Sequence, residues 1–80
     1  MTKGEYRVGI DFNPSNSDMV GRIKTAAADL IDLIDNIEEH TAQLDMRFSE
    51  IKRLKALAQT AIEEGAMWAV KAATKPSMEK

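Results

Sequence analysis

The sequence predicts an all-α fold: a short N-terminal segment followed by an antiparallel two-helix hairpin that assembles as a homo-oligomer. Apolar residues recur three and four positions apart over residues 18–39 and again over residues 46–74, which is the period of an α-helix. The chain has 80 residues and no cysteine, so a lone hairpin would bury too little surface to be stable. We therefore expect one domain over residues 1–80 that gains its missing burial by self-association.

Charge and hydropathy narrow the range of partners. The formal net charge is −2, whereas a general DNA or RNA binder needs a broad basic face. No apolar run approaches the roughly 20 residues of a membrane span, and the first residues lack the apolar core of a signal peptide. We expect a protein that works inside the cell with no DNA and no membrane as partner. A small anionic ligand held by a few local cations is compatible with this charge.

Residues 1–17 are interpreted as an N-terminal arm. Its first ten residues show no helical period, and Tyr6, Val8 and Ile10 alternate with polar residues or glycine. This alternation predicts a short extended segment. Three apolar side chains also indicate that the arm docks on the rest of the protein instead of fraying.

The arm ends in a turn that leads into the first helix. Pro14 pushes Asn13 away from helical geometry, and the Ser and Asn residues that follow favour local hydrogen bonds to the backbone. Ser15 and Asp18 fit a capping box of the S-x-x-D form, while Ser17 is a competing N-cap. The turn therefore predicts a helix that begins near residue 18.

The first helix is expected over about residues 18–39. Its core seam consists of Val20, Ile23, Ala27, Leu30, Ile34 and Ile37. Ile31 and Leu33 widen the apolar face, which suggests contact with more than one neighbour. The polar face carries Asp29, Asp32, Asn36 and Glu39. We interpret it as solvated and expect no metal site, because the di-iron signature needs Glu three residues before His40 and that residue is Ile37.

A reversal must follow, because one helix from residue 22 to residue 64 would be about 65 Å long. No glycine or proline marks it, and the best candidate is 39–43, where helix formers thin out. The second helix then covers about residues 46–74 and ends before Pro76. Its seam contains Phe48, Ile51, Leu54, Ala58, Ala61, Gly65, Trp68 and Ala72. Apolar positions outside that seam are Leu57, Ile62, Met67 and Val70.

The second half of this seam is built mostly from small residues around Trp68. Such a stripe allows another helix to approach closely, with the indole filling the remaining gap. Gly65 costs roughly 1 kcal/mol of helix propensity relative to Ala, which suggests that a neighbouring helix or a ligand lies against its backbone. The alternative is an ordinary helix that tolerates one glycine. Lys71 lies in the same segment and is a candidate to point toward a partner's pocket.

The residues do not suggest catalysis. The chain has one His and no Cys, so no nucleophile–base pair can be assembled from the spacing. Glu63 and Glu64 are adjacent and point about 100° apart on a helix, so they do not form an acid–base pair. We expect a protein that is not an enzyme and that uses no cofactor.

Anion binding is the more plausible chemistry. The candidate residues are Phe12, Asn13, Pro14, Arg22, Lys24 and Thr25. A helix N-terminus with a cation and a hydroxyl in its first turns suits a phosphate, and an aromatic ring a few residues away suits a stacked base. The alternative is a surface Arg–Lys pair with the phenyl ring as a hydrophobic staple.

Two separated segments resemble a known family. The first is Phe12-Asn13-Pro14-Ser15 with Arg22-Ile23-Lys24 and Ala28-Asp29-Leu30-Ile31-Asp32-Leu33. The second is Ala58-Gln59-Thr60 with Glu64-Gly65-Ala66-Met67-Trp68-Ala69-Val70-Lys71-Ala72 and Pro76, of which the run from Met67 to Ala72 is the most specific part. Over roughly residues 12–76 the chain is similar to the helical-hairpin domain of phage anti-CBASS and anti-Thoeris sponge proteins, which sequester cyclic nucleotide signals of bacterial immunity.

The resemblance implies a homohexamer in the cytoplasm of the infected bacterial host that holds its ligand intact. Cyclic dinucleotides such as cyclic GMP-AMP would bind between protomers, and cyclic trinucleotides, in some members, where three protomers meet. By resemblance, Lys24 contacts the dinucleotide together with an aromatic residue, either Phe12 or Tyr6. The family often has Arg where this chain has Lys71, and Gln59-Thr60 lie where a basic or hydroxyl residue faces the trinucleotide.

Two other functional classes compete with a sponge. A structural hairpin that serves as an oligomerisation or adaptor module would need no small ligand. A transcriptional regulator would need an exposed basic recognition helix, which the acidic first helix lacks. The discriminating feature is local, because a sponge needs Lys24 and an aromatic residue for binding without needing them for assembly.

Overall fold

The computed structural model describes residues 1–38 and 46–78, and all regular structure in those ranges is helical. The three helices are α1 (Lys3–Val8), α2 (Asp18–Asp35) and α3 (Met46–Ala73). Contacts between α2 and α3 run in opposite directions along the chain, because Lys55 reaches Asp35 whereas Gln59, further along α3, reaches Ile31. The two long helices are therefore antiparallel, as a helical hairpin requires.

The prediction of an extended N-terminal arm is wrong, because residues 3–8 form α1. Thr2 is the N-cap: its hydroxyl accepts from the Glu5 amide, and the Glu5 side chain accepts from the Thr2 amide in return. Gly9 ends the helix in the left-handed conformation at φ 64°. Two satisfied caps make a six-residue helix possible where propensity alone would not.

The start of α2 agrees with the prediction, but the capping box of Ser15 and Asp18 does not form. Ser17 is the N-cap, and its side chain accepts from the Val20 amide. Ser15 instead holds the preceding turn by donating to Asn13 Oδ1. The helix also ends at Asp35 rather than at residue 39.

The early end of α2 is stabilised from α3. Lys55 Nζ donates to the carbonyl oxygens of Asp35 and Ile37, at 3.0 and 2.7 Å. A cation at a helix C-terminus satisfies carbonyls that have no partner within the helix and interacts favourably with its dipole. The chain can therefore leave the helix at Asn36, the C-cap.

Helix α1 packs against α2 through Gly4, which is buried. A Cβ atom at this position would lie 2.8 Å from the carbonyl carbon of Ala28 and 2.9 Å from its Cα, so only glycine fits without displacement. The Gly4 amide donates to Asp32 Oδ1 at 2.7 Å. Asp32, expected on the solvated face, is therefore a docking point for α1.

A polar network joins all three helices around Gln59, which is 2 % exposed. Its Nε2 donates to the Ile31 carbonyl and to Asp35 Oδ1, and its Oε1 accepts from Lys3 Nζ at 3.0 Å. Lys3 also pairs with Asp35 at 3.0 Å. The hydrogen bonds from Lys3 and then from Gln59 hold the pKa of Asp35 below its ordinary value of 3.8.

The buried face of α2 differs in part from the predicted seam. The buried positions are Val20, Lys24, Ala27, Ala28 and Ile31. Val20 and Ala27 were expected there, whereas Leu30 and Ile37 of the expected seam are about half exposed, at 44 % and 51 %. The inward face is rotated because Ala28 and Ile31 receive α1 and Gln59.

Helix α3 turns most of its predicted seam away from the chain. Leu54, Leu57 and Trp68 are 50–55 % exposed, and a Cβ at Gly65 would meet nothing within 4 Å. These residues and the exposed Ala61 and Ala72 form one stripe on the outer surface of α3. This outward stripe consists of Leu54, Leu57, Ala61, Gly65, Trp68 and Ala72. The principal extents of 60 × 24 × 13 Å are those of a thin molecule that cannot enclose this stripe itself.

Two predictions fall on residues 39–45, which lie outside the described residues. They are the reversal at 39–43 and the surface position of Glu39. Within residues 1–38 and 46–78, no cluster of acidic or histidine side chains has the arrangement of a metal site. None of the described helices combines the length and apolarity that crossing a membrane would require.

Candidate functional site

One concave surface lies where the end of α1 meets α2 and the second half of α3. This α1–α3 groove has a volume of about 490 Å³. Its charged and hydroxyl side chains are Arg7, Lys24, Thr60, Glu63 and Glu64, and its apolar surface comes from Val8, Ala66, Met67 and Val70. An apolar groove with a few convergent polar groups is the usual form of a small-molecule site.

Lys24 is the buried cation of this groove, with 8 % of its surface exposed. Its ammonium donates to the carbonyl oxygen of Gly9 at 2.9 Å and also to the carbonyl oxygen of Phe12. Those two carbonyls belong to the turn after α1. Because an ammonium has three donors, the two bonds leave one donor and the positive charge for a further partner.

Phe12 lies over the same ammonium, with its ring centroid 5.4 Å from Lys24 Nζ. The ring is 71 % exposed, so one face remains open for stacking while the cation–π contact orients the other. Tyr6, the other aromatic candidate, is 76 % exposed on α1. Of the two aromatic residues, the one that contacts Lys24 is Phe12.

Arg7 crosses from α1 to α3 at the edge of the groove. Its Nε and Nη2 both lie 2.7 Å from Glu63 Oε1, and Nη2 donates more weakly to Thr60 Oγ1 at 3.4 Å. The Arg7 side chain is 25 % exposed and that of Glu63 is 44 % exposed. Sequence reasoning placed Thr60 at a binding site but did not identify Arg7.

The first-helix cluster expected from the sequence does not converge on one point. Asn13, Arg22 and Thr25 line a second, shallower groove along the N-terminal half of α2, whereas Lys24 points into the α1–α3 groove. Asn13 is engaged in the turn, because its Nδ2 donates to the Ser17 carbonyl at 3.0 Å. Successive helix residues point about 100° apart, which separates the lysine from its neighbour at position 25.

The other candidates lie apart from both grooves. Pro14 is exposed in the turn before α2. Lys71 is exposed on the last turns of α3, with its ammonium 5.4 Å from the centroid of the Trp68 ring. Trp68 Nε1 is 3.5 Å from Glu64 Oε1. Lys71 therefore borders the outward stripe rather than the α1–α3 groove.

A signal for α1, and hence for Arg7, is present in the sequence. Thr2-Lys3-Gly4-Glu5 has the T-x-x-E form of a capping box, and Gly9 follows at the distance of a helix stop. The alternation of three apolar residues obscures this signal. Gln59 carries no such signal, because its burial depends on packing between three helices.

Comparison with known proteins gives one family-level result. The family model described as "Acb2/Tad1, hairpin domain" matches residues 4–74, which includes α1 from its second residue onward, all of α2 and α3, and the residues that line both grooves. Searches of curated proteins and of solved structures found no match to this chain.

Proposed function

Because the chain belongs to the Acb2/Tad1 hairpin-domain family, we propose that it binds cyclic oligonucleotide second messengers and sequesters them without cleaving them. Membership confirms the resemblance to anti-CBASS and anti-Thoeris sponges. At the level of the family, the role is phage anti-defence through cyclic-nucleotide binding by a sponge-type binder. The ligand class, the intact release of the ligand and the block of CBASS immunity in the host cytoplasm are our proposals for this chain.

The observation that carries the proposal is the pairing of Lys24 with Phe12 beside the α1–α3 groove. A buried ammonium supplies charge for a phosphate where water competes weakly, and the exposed ring supplies a stacking surface for a base. A cyclic dinucleotide such as cyclic GMP-AMP contains both chemical groups. We extend the proposal to cyclic trinucleotides at a second site where three protomers meet. Thr60 and Lys71 lie apart in one protomer, so they would contribute to this site from different protomers.

The outward stripe of α3 supports self-association, with a hexamer as the proposed state. Exposed apolar surface of this extent on a thin molecule favours a protein partner. A second copy would cover Gly65 and Trp68 and would complete any ligand site shared between protomers. The family match supports oligomerisation in general terms.

A structural hairpin module without a ligand is the second candidate, and one observation favours it. The Lys24 ammonium already donates to the carbonyl oxygens of Gly9 and Phe12. In that case Lys24 only ties the turn after α1 to α2, and the outward stripe serves assembly alone.

The deciding experiment is isothermal titration of the purified protein with 3′,3′-cyclic GMP-AMP, followed by denaturation and chromatography of the ligand. We expect binding by the wild type, recovery of intact ligand, and loss of binding in Lys24→Ala. Lys52→Ala is the matched control, because the Lys52 ammonium also lies 5.4 Å from a ring centroid, that of Phe48 on α3. If Lys24→Ala unfolds the protein, Phe12→Ala tests the same site instead, because the Phe12 ring is exposed and its loss should leave the fold intact.

The other outcomes separate the candidates. A degraded ligand would identify an enzyme and overturn sequestration. The wild-type protein would also be titrated with a panel of cyclic di- and trinucleotides. If it is folded and oligomeric but no titration shows heat of binding, the structural module is favoured.

A further inference from the structure

The ion pair between Arg7 and Glu63 leaves part of the guanidinium unused. Nε donates to Glu63 Oε1, and Nη2 lies 2.7 Å from the same oxygen and donates to Thr60 Oγ1. Within residues 1–38 and 46–78, the two hydrogens of Nη1 donate to no protein atom. Five donors are available on a guanidinium, so two of them remain for a ligand.

Among the residues that the structure describes, Arg7 and Lys24 are the cations that line the α1–α3 groove. Lys24 is fixed by two carbonyls of the turn after α1, and Arg7 is fixed by two side chains of α3. Both are therefore held in place before any ligand arrives. A preoriented cation loses little side-chain entropy on binding, which favours affinity.

We propose that Arg7 is a second phosphate-binding residue of the α1–α3 groove and that Glu63 is its positioning residue. The inference rests on the proposed function, since it assumes a ligand with more than one phosphate in this groove. Arg is suited to this role because its planar fork pairs with two phosphate oxygens, whereas Lys acts as a point charge.

Glu63 has two opposing effects in this arrangement. Its carboxylate orients the guanidinium through the shared oxygen Oε1. Its negative charge also lies beside the position of the phosphate and opposes anion binding. Replacing Glu63 by Gln keeps an acceptor oxygen for Arg7 and removes the charge, so anion binding should become tighter.

The test measures the affinity for 3′,3′-cyclic GMP-AMP by isothermal titration of wild type, Arg7→Gln, Arg7→Lys and Glu63→Gln. We expect Arg7→Gln to weaken binding about tenfold or more, because a charge-assisted hydrogen bond is lost. Arg7→Lys should restore part of that loss. Glu63→Gln should tighten binding roughly two- to fivefold.

The matched control is the pair of Arg53 and Glu50, which has the same chemistry on another part of α3. Arg53 Nε and Nη2 lie 2.9 and 2.7 Å from the carboxylate oxygens of Glu50. Arg53→Gln and Glu50→Gln should leave the dissociation constant within about twofold of wild type.

Weaker binding by Arg7→Gln together with tighter binding by Glu63→Gln is the outcome expected of a phosphate-binding Arg7, because a purely structural ion pair would be weakened by either substitution. If Arg7 only ties α1 to α3, both variants should lower thermal stability and neither should improve binding. If the wild type binds the ligand and all Arg7 and Glu63 variants bind it with the same affinity, this inference is overturned. The proposed function would still stand. Absence of wild-type binding to every cyclic nucleotide tested would overturn both.

Discussion

The ammonium of Lys24 on α2 lies 5.4 Å from the centroid of the Phe12 ring and donates a hydrogen bond to the carbonyl oxygen of the same residue. One side chain therefore fixes both the backbone and the ring of the turn after α1. The neighbouring carbonyl of Gly9 accepts a second bond from the ammonium. Lys24 is thus a structural residue and a candidate ligand contact at once, and the two roles must be measured separately.

Lys24→Met should lower the free energy of unfolding by about 1–3 kcal/mol, because two carbonyls at a part-buried site lose their donor. Urea denaturation of the ligand-free protein measures this change. Lys52→Met, at an exposed position on α3, should change stability by no more than about 0.5 kcal/mol. Equal effects of the two substitutions would show that the hydrogen bonds from Lys24 to the carbonyl oxygens of Gly9 and Phe12 add nothing to stability.

Phe12→Ala should weaken cyclic dinucleotide binding by about tenfold through the loss of stacking. Tyr6→Ala should weaken it by less than about twofold, since of the two rings only that of Phe12 contacts Lys24. Both rings are largely exposed, so neither substitution should change stability much. Titration calorimetry decides between them, and a larger loss for Tyr6→Ala would assign the stacking residue to α1.

Gly4→Ala should destabilise the protein by about 1–3 kcal/mol, because the new methyl group overlaps the Ala28 backbone. Displacement of α1 should also increase hydrogen exchange of the Glu5 and Tyr6 amides. Gly21→Ala is the control: a Cβ there meets nothing within 4 Å, so α2 should gain up to about 1 kcal/mol. A stable Gly4→Ala protein would contradict the close packing of α1 on α2.

Gly65→Leu should dissociate the proposed oligomer while leaving the protomer folded. No described atom outside its own helix lies within 4 Å of a Cβ at this position, and leucine is the better helix former. Sedimentation velocity measures the oligomeric state and circular dichroism the helix content. Ala56→Leu, at an exposed position outside the outward stripe, should leave the assembly intact. An unchanged oligomer in Gly65→Leu would exclude the stripe as the contact between copies.

The Asp35 carboxylate should make stability depend on acid pH. Its pKa is lowered in the folded state, so its contribution is present above its ordinary pKa of 3.8 and is lost as the pH falls through the lowered value. The urea midpoints of wild type and Asp35→Asn should differ near neutral pH and converge as the pH falls below about 4. Glu50, whose pKa is also lowered, is present in both proteins and cancels in the comparison.

The sequence determined the two long helices of this protein and the position where the first begins. Both follow from local physics: the spacing of apolar residues matches the helical period, and Ser17 lies where an N-cap is needed. The second helix was expected over about residues 46–74 and is observed as Met46–Ala73. The family resemblance on the run from Met67 to Ala72 likewise depends on the order of residues alone, and the family match confirms it.

Only the tertiary structure decided which face of each long helix points inward. Helix α3 carries apolar residues on two faces, so its periodicity alone could not choose between them. The choice depends on Gly4 meeting Ala28 and on Gln59 bonding to Ile31, and both contacts join residues far apart in the chain. The same long-range packing placed Lys24 beside Phe12 and left Thr25 in the second groove. Helix geometry fixes the angle between the two side chains, but only the packing of the other elements decides what each of them contacts.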